Sequence, residues 1–122
     1  MGLDMYARKT KTAPSTAVDF EIGEGHEEFH YWRKHPNMHG WMEALYRQKG
    51  GTDKDFNVAP VVLTIEDIER LEADVTGDHL PKTSGFFFGS STPRDKADDL
   101  EFIAKAKQEI ADGYTVYYTS WW

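Results

Sequence analysis

The sequence of 122 residues contains no cysteine, and its basic residues are outnumbered by acidic ones. The absence of cysteine excludes disulfide bonds, cysteine-based zinc sites and thiol nucleophiles, and it fits a reducing compartment. Lysine and arginine total 14 against 21 aspartate and glutamate residues, which gives a formal net charge of −7. Because nucleic-acid binding relies on basic side chains that neutralise phosphates, this charge disfavours a nucleic-acid partner.

Long apolar runs are also absent from the sequence. No segment approaches the roughly 18 consecutive apolar residues of a membrane span, so no membrane partner is expected. A secretory signal has an apolar segment after a basic one, and the first residues, MGLDMYARK, have no such arrangement. We therefore expect a cytoplasmic protein, and the length favours a single domain over residues 1–122.

The pattern of apolar residues predicts an α+β fold, with three helices packed on a small mixed or antiparallel sheet of about four strands. Strands are predicted at residues 2–8, 17–22, 56–63 and 114–120, with a further short strand at 86–88. Helices are predicted at residues 36–49, 65–76 and 95–112. In the first helix, the predicted buried stripe is Met38, Trp41, Met42, Leu45 and Tyr46.

Two further helix features are predicted from residue types. Thr64, followed by Asp67 three residues later, is typical of a capping box at the start of the second helix. The inward face of the third helix is predicted to carry Leu100, Ile103, Ala104 and Ile110.

Residues 26–30, HEEFH, match the H-E-x-x-H pattern of zinc hydrolases. On a helix, this spacing places two imidazoles on one face to share Zn²⁺, while the glutamate activates water. The pattern therefore predicts a metal-dependent hydrolase, with His26 and His30 as the metal ligands. Glycines upstream and Pro36 downstream allow only a short helix, and the third histidine of the longer metzincin pattern is replaced by Pro36. The alternative is a solvated acidic segment.

Polar and aromatic residues also concentrate at residues 31–41, YWRKHPNMHGW, where the first helix is predicted to begin. A helix N-terminus favours anions, and the planar fork of Arg33 suits a carboxylate or phosphate. Trp32 is a candidate for stacking on a planar group. The alternative places Trp32 and Trp41 in the core and pairs Arg33 with acidic surface groups. The candidate ligand-binding residues here are Trp32, Arg33, His35, Asn37 and His39.

Two glycines bracket three phenylalanines at residues 83–91, TSGFFFGSS. Glycine lets a backbone approach a ligand closely, and the hydroxyls can donate to an anion. The segment is not a P-loop, because no Gly-Lys-Ser/Thr follows, and the alternative is a short buried strand between two turns. The candidate residues are Thr83, Ser84, Gly85, Gly89 and Ser90, with Ser91 as a further hydroxyl.

Trp121 and Trp122 are adjacent on the predicted last strand. Because side chains alternate along a strand, one indole is expected to face inward and the other outward. An outward tryptophan marks a contact surface.

Four motifs are found together in this sequence: MGLDMY at residues 1–6, YWRK at 31–34 with His39 and Trp41, GFFFGS at 85–90 and YYTSW at 117–121. Together they resemble a family of small uncharacterised proteins encoded by bacteriophages and prophages. The resemblance spans the chain and implies a phage-encoded protein of the host cytoplasm with no assigned activity. HEEFH lies outside these motifs, which weakens the hydrolase hypothesis.

Three hypotheses of function follow. The first is a small binding protein for an anionic or nucleotide-like ligand, held by the residues at 32–39 and 83–90, with no cofactor. The alternative is an acidic protein that binds and modulates a host protein, motivated by the net charge, the acidic second helix and the terminal tryptophans. The third is the zinc hydrolase. Whether the chain is an enzyme stays open, with binding favoured.

Overall fold

A computed structural model describes residues 2–85 and 87–122. Its elements are, in chain order, β1 (Asp4–Thr10), β2 (Glu27–Arg33), α1 (Pro36–Gln48), β3 (Val61–Leu63), α2 (Ile65–Thr76), α3 (Asp95–Ala111) and β4 (Thr115–Trp121). The predicted α+β fold, with one four-stranded sheet and three helices, is confirmed. Within the described ranges, no helix is both long and apolar enough to cross a membrane.

The sheet has the strand order β2-β1-β4-β3, and every neighbouring pair is antiparallel. β1 lies between β2 and β4, so that Asp4 pairs with Arg33 on one side and with Trp121 on the other. The register between β1 and β2 shifts after Ala7, where Ala7 pairs with His30 and the next residue pairs with Glu28. This β-bulge leaves Phe29 as the extra residue of β2.

One face of the sheet is covered by the helices. Met5, Ala7 and Tyr118 are fully buried on this face, and the predicted stripe of α1 is buried in full. α2 begins at the predicted capping box, in which the Thr64 side chain accepts from the Asp67 N–H and the Asp67 carboxylate accepts from the Thr64 N–H. The core therefore follows the amphipathic pattern of the sequence.

The other face of the sheet, called the open face below, carries Asp4, Tyr6 and Arg8 of β1 together with the residues that pair with them. The segment before β2 covers part of it, because Phe20 packs edge-on against Tyr117 with a ring-centroid distance of 5.0 Å. Of the other residues on this face, Thr119 is buried, whereas the side chains of Tyr31 and Trp121 are 45% and 68% exposed. The open face therefore presents two aromatic side chains to solvent, where a ligand or partner could contact them.

The strand predictions need three corrections. Residues 17–22, all of them described, form no strand and contribute a single bridge between Val18 and Val61. The sequence predicts a strand over residues 56–63, with Pro60 confining it to an edge or a bulge. The strand is at the edge of the sheet, but it covers only β3, because Phe56 and Val58 have left-handed backbone angles (φ of 47° and 57°). The strand that the sequence did not predict is β2, which contains four of the five residues of HEEFH.

The predicted strand at 86–88 lies partly outside the described residues, because residue 86 is not among them. Of its other members, Phe88 is buried and Phe87 is 51% exposed.

Candidate functional site

The two polar segments singled out in the sequence, residues 31–41 and 83–91, meet in space. The Thr83 N–H donates to Asn37 Oδ1 at 3.0 Å, and Ser91 Oγ lies 2.7 Å from His35 Nδ1. Gly89 lies against the side chain of Lys34. The segments therefore form one surface, although they do not bring all of their candidate residues into one cavity.

Trp32 and His39 are core residues and not ligand contacts. The Trp32 side chain is buried between the sheet and α3, with its ring centroid 4.6 Å from that of Phe102, so it offers no stacking platform. His39 is 1% exposed, and its Nδ1 lies 2.6 Å from the Tyr118 hydroxyl. Burial lowers the His39 pKa to about 4. Neither residue is therefore available to contact a ligand, in contrast to the prediction from the sequence.

The glycines of the second segment shape its loop. A β-carbon on Gly85 would lie 2.3 Å from the ring of Phe88, so this position requires a residue without a side chain. Gly89 has a φ of +74°, a backbone conformation that favours glycine. Ser84 and Ser90 are exposed. No hydrogen bond within the described residues gives either hydroxyl a defined role.

The two histidines of HEEFH do not share a metal-binding position, because they lie at a strand and not on a helix. His26 reaches Tyr117 on the open face, with its Nδ1 2.8 Å from the hydroxyl. His30 lies on the helix side, 4.5 Å from Trp32 by ring centroids. This geometry is incompatible with the predicted zinc motif.

His30 instead approaches two carboxylates of α3, and the ligand atoms of His30, Asp98 and Glu101 lie within 4.8 Å of one another. Sequence spacing could not show this set, because its members come from β2 and α3. The ammonium of Lys105 lies 3.4 Å from His30 Nδ1 and supplies positive charge at the same place.

Arg33 lies on the open face, separated from the exposed indole of Trp121 by Asp4 of the central strand β1. A cavity of about 380 Å³ is lined by Gly2, Asp4, Arg33, Trp121 and Trp122. We call this cavity the Arg33–Trp121 pocket. Its volume lies at the lower end of the roughly 300–1,000 Å³ typical of small-molecule sites.

Strand register explains why these residues meet. Arg33 and Trp121 both pair with Asp4, from opposite sides of β1, so that all three side chains project from the same face. Lys34 then leaves β2 with a left-handed φ of 54°, and its N–H donates to the Leu3 carbonyl at 2.8 Å. This turn places the Lys34 side chain against Gly89 and against Gly2, which lines the pocket.

Gly2 brings the backbone close to both cations. A β-carbon there would lie 3.0 Å from Arg33 Nη2 and 3.1 Å from Lys34 Cε. The Asp4 carboxylate is the counter-charge, with its Oδ1 3.5 Å from Arg33 Nε. Two cationic side chains and one carboxylate therefore give this region local positive charge in a protein of net charge −7.

Tyr31 contacts the pocket through Asp4, because its hydroxyl donates to Asp4 Oδ1. This hydrogen bond, together with burial and the negative charge of Asp4, raises the Tyr31 pKa to about 12. The phenol therefore stays protonated at neutral pH and holds the Asp4 carboxylate in place.

The two terminal tryptophans have the predicted opposite orientations. Trp122 is half-buried, packs edge-on against Phe88 with ring centroids 4.9 Å apart, and donates from its indole to the Phe56 carbonyl at 3.2 Å. Trp121 is 68% exposed, more than any other described large apolar residue. The pocket thus has one fixed and one accessible indole.

A second cavity, of about 270 Å³, adjoins the pocket along the open face and shares Trp121 with it. Its lining includes Arg8 and Thr119. Among the described side chains, Arg8 Nε and Thr119 Oγ1 are buried without a hydrogen-bond partner. Buried polar atoms are normally paired, so these two atoms are positions where a ligand would gain hydrogen bonds.

His35 belongs to a separate polar cluster beneath the start of α1. Its Nε2 lies 2.9 Å from Asp99 Oδ2, and the Trp32 indole donates to Asp99 Oδ1 at 3.1 Å. Ser91 Oγ accepts from the Asn37 N–H at 3.0 Å and contacts His35 Nδ1. The sequence did not point to Asp99, because a carboxylate on a helix is normally expected to face solvent, whereas Asp99 is buried against Trp32 and His35.

Comparison with protein-family models, with curated proteins and with solved structures finds no significant match. The function is therefore argued from the geometry of the chain itself.

Proposed function

We propose that the chain is a small binding protein whose ligand is a planar anion, held in the Arg33–Trp121 pocket. The observation that carries the proposal is that Arg33 and the most exposed tryptophan line one cavity through their shared pairing with Asp4. A cation and an accessible aromatic ring in one cavity suit a ligand that has both a charged and a flat part.

The anionic group binds to the guanidinium of Arg33, with the Lys34 ammonium next to it. The planar fork of arginine matches a carboxylate or phosphate with two parallel hydrogen bonds. The Arg33–Asp4 contact involves Nε at 3.5 Å, and Nη2 lies beside Gly2, where there is no side chain. Because Gly2 has no side chain, the Arg33 guanidinium and the Lys34 side chain can both pack close to its backbone.

The planar part stacks on Trp121, which replaces the buried Trp32 of the sequence-based hypothesis. Stacking of an aromatic group on an indole is favourable and tolerates different ring systems. The adjoining cavity extends the site, and its unpaired Arg8 and Thr119 atoms supply partners for polar groups at the far end of the ligand. A nucleotide-like molecule has this combination of a ring, polar substituents and an anionic end.

Calorimetric titration with nucleoside monophosphates and aromatic carboxylates tests the proposal. Arg33→Ala and Trp121→Ala are each expected to weaken binding about tenfold or more, which corresponds to about 1.4 kcal/mol. Arg94→Ala is the matched control, since Arg94 is exposed at the start of α3 and lies outside the pocket lining. Featureless traces for the whole panel, or equal affinity of wild type and Arg33→Ala, contradict the proposal.

The hypothesis of a host-protein partner receives support from one observation on the same face. Val58 is 57% exposed and lines the same cavity as the exposed Trp121, so this region carries apolar surface suited to a protein contact. Retention of a single bacterial protein by wild type but not by Trp121→Ala, with no response to the small-molecule panel, favours this second function.

A further inference from the structure

We propose that Ser91, His35 and Asp99 form a second, catalytic site that cleaves short, neutral carboxylic esters. Ser91 Oγ lies 2.7 Å from His35 Nδ1, and His35 Nε2 lies 2.9 Å from Asp99 Oδ2. A hydroxyl next to a base, with the base held by a third group, is the arrangement that activates a nucleophile. The proposal is independent of the Arg33–Trp121 pocket.

The direction of each hydrogen bond assigns the roles. Asp99 accepts from the Trp32 indole at Oδ1, so its Oδ2 accepts from the Nε2–H of His35. In the neutral ring Nδ1 is then unprotonated and accepts from the Ser91 hydroxyl, and Asp95 Oδ2, 3.6 Å from Nδ1, stabilises the imidazolium that forms when His35 takes the proton. The tautomer therefore leaves His35 ready to take the proton of Ser91, with Asp99 as the positioning residue.

A cavity of about 250 Å³ opens onto this cluster and supplies room for a substrate. Ser91 is half-buried at its wall, and Val75, Leu80 and Pro93 give it an apolar side. Asn37 also lines the cavity, and its Oδ1 is occupied by the Thr83 N–H. We assign the Asn37 side-chain amide, whose Nδ2–H groups are not used by this bond, as the candidate donor to a developing oxyanion.

The charges around the cavity set the substrate class. Asp78 and Asp95 line it together with Asp99, and the one lysine in the lining, Lys96, lies 3.3 Å from Asp78. Carboxylates repel an anionic substrate, and the apolar wall favours a hydrocarbon acyl group. A neutral ester with a short acyl chain therefore fits best.

The reaction proceeds in two balanced steps. Ser91 Oγ forms a bond to the acyl carbon while His35 Nδ1 takes its proton; the bond to the alkoxide then breaks, and His35 returns the proton to the departing alcohol. Water next forms a bond to the acyl carbon, the bond to Oγ breaks, and the proton passes through His35 back to Ser91. The products are a carboxylic acid and an alcohol, with no oxidant or cofactor.

Labelling with a fluorophosphonate probe, followed by mass spectrometry of the folded full chain, tests the nucleophile directly. We expect one adduct, located on Ser91, with loss of fluoride, and none in Ser91→Ala. Ser90→Ala is the matched control because Ser90 is the exposed neighbour, and it should label like wild type. Absence of labelling in wild type, or equal labelling of Ser90, overturns the proposal.

Hydrolysis of 4-nitrophenyl acetate tests the base and its orientation. Ser91→Ala and His35→Gln are each expected to lower the rate by about 100-fold or more in protein with a native circular dichroism spectrum. If His35→Gln does not fold, the labelling of wild type still decides the proposal. Rates equal to wild type in folded Ser91→Ala overturn it.

Asp99→Asn tests positioning separately from stability. In wild type, ¹⁵N spectra of the imidazole are expected to show the Nε2–H tautomer for His35, and Asp99→Asn is expected to change that tautomer and slow the labelling together. If the cluster only stabilised the start of α1, where Ser91 Oγ accepts from the Asn37 N–H, then Asp99→Asn would leave the labelling rate unchanged. Unchanged labelling with an altered tautomer therefore excludes a catalytic role for the cluster.

Discussion

At the residue scale, Gly40 shows how closely α1 passes the loop at residues 83–91. A β-carbon on Gly40 would lie 1.9 Å from Thr83 Oγ1 and 2.9 Å from Thr83 Cβ. Alanine normally stabilises a helix interior by about 1 kcal/mol relative to glycine, whereas overpacking costs about 1–3 kcal/mol. We expect the overpacking to dominate, so that Gly40→Ala lowers the free energy of unfolding measured in urea.

A double-mutant cycle isolates the cause of that loss. Thr83→Ala removes Oγ1 and Cγ2 but keeps the N–H that donates to Asn37, so it should recover part of the stability that Gly40→Ala loses. Additive effects of the two substitutions would show that the helix and the loop do not contact each other at this point.

His39 gives a prediction about pH. Its pKa is lowered by burial from 6.5 to about 4, so the unfolded chain binds a proton at this residue more readily than the folded one. Its contribution to stability is therefore complete above pH 6.5 and is lost as the pH falls toward 4. The difference corresponds to about 3 kcal/mol over that window.

Urea unfolding between pH 7 and pH 4 measures this contribution. Compared with wild type, His39→Gln should be less stable at pH 7 but should lose less stability as the pH falls. The same pH dependence in both proteins would contradict the assignment of His39 as a neutral, buried side chain.

Residue identity alone does not distinguish the two tryptophans considered for stacking. Trp32 has an acceptor, Asp99, for its indole N–H within the core, and Trp121 has an exposed position in the cavity that Arg33 also lines. Both outcomes depend on which residues face each other across strands and helices, which a single sequence does not reveal. Arg33 could be named as a candidate anion contact from its residue type, but the tryptophan that lines the same cavity could not.

At the element scale, α2 has the best-defined start in the chain. Thr64 and Asp67 accept hydrogen bonds from each other's backbone N–H, and Asp67 also binds Lys49 and Arg70. Burial of Asp67 opposes its ionisation, but hydrogen bonds from Lys49, the Thr64 N–H and Arg70 outweigh burial and lower its pKa. The capping residues thus also join α2 to the end of α1.

Removing the cap should destabilise the whole domain. Thr64→Ala is expected to lower the free energy of unfolding by about 1 kcal/mol, because it leaves the Asp67 N–H without its partner. Thr76→Ala, at the exposed C-terminal end of the same helix, is the control and should be near neutral. Thermal unfolding of both variants checks the difference, and equal midpoints would contradict the capping role.

Elements with a strong local signal were predicted well, and those that depend on pairing were not. The stripe of α1 and the capping box of α2 are set by neighbours along the helix, and both are confirmed. The acidic start of β2 gave no strand signal, and it pairs because β1 supplies the partner. On α3, the predicted inward residues Leu100 and Ala104 are exposed, whereas Asp99 is buried by its contacts with Trp32 and His35.

At the scale of the whole molecule, the candidate site is made by topology. Asp4, Arg33 and Trp121 come from three distant parts of the sequence, and the strand order β2-β1-β4 places them side by side. The motifs that carry them were visible in the sequence, but their convergence was not. The net charge of −7 repels anions at long range, so a bound anion has to be held by direct contacts with Arg33 and Lys34.

The four tryptophan indoles report on separate parts of this molecule. Trp121 and Trp122 line the pocket, the Trp32 indole donates to Asp99, and the Trp41 indole donates to Asp74 at 2.8 Å. A ¹H–¹⁵N spectrum therefore contains a resonance for each location, and Trp121→Phe assigns the pocket resonance.

Titration of ¹⁵N-labelled protein with nucleoside monophosphates and aromatic carboxylates, followed through these indole resonances, tests the central claim most directly. We expect a binding member of the panel to shift the Trp121 and Trp122 resonances and to leave Trp41 unchanged, and we expect Arg33→Ala to need about ten times more ligand or more for the same shifts. Shifts confined to Trp32 or Trp41, or no shift with any member of the panel, would contradict it.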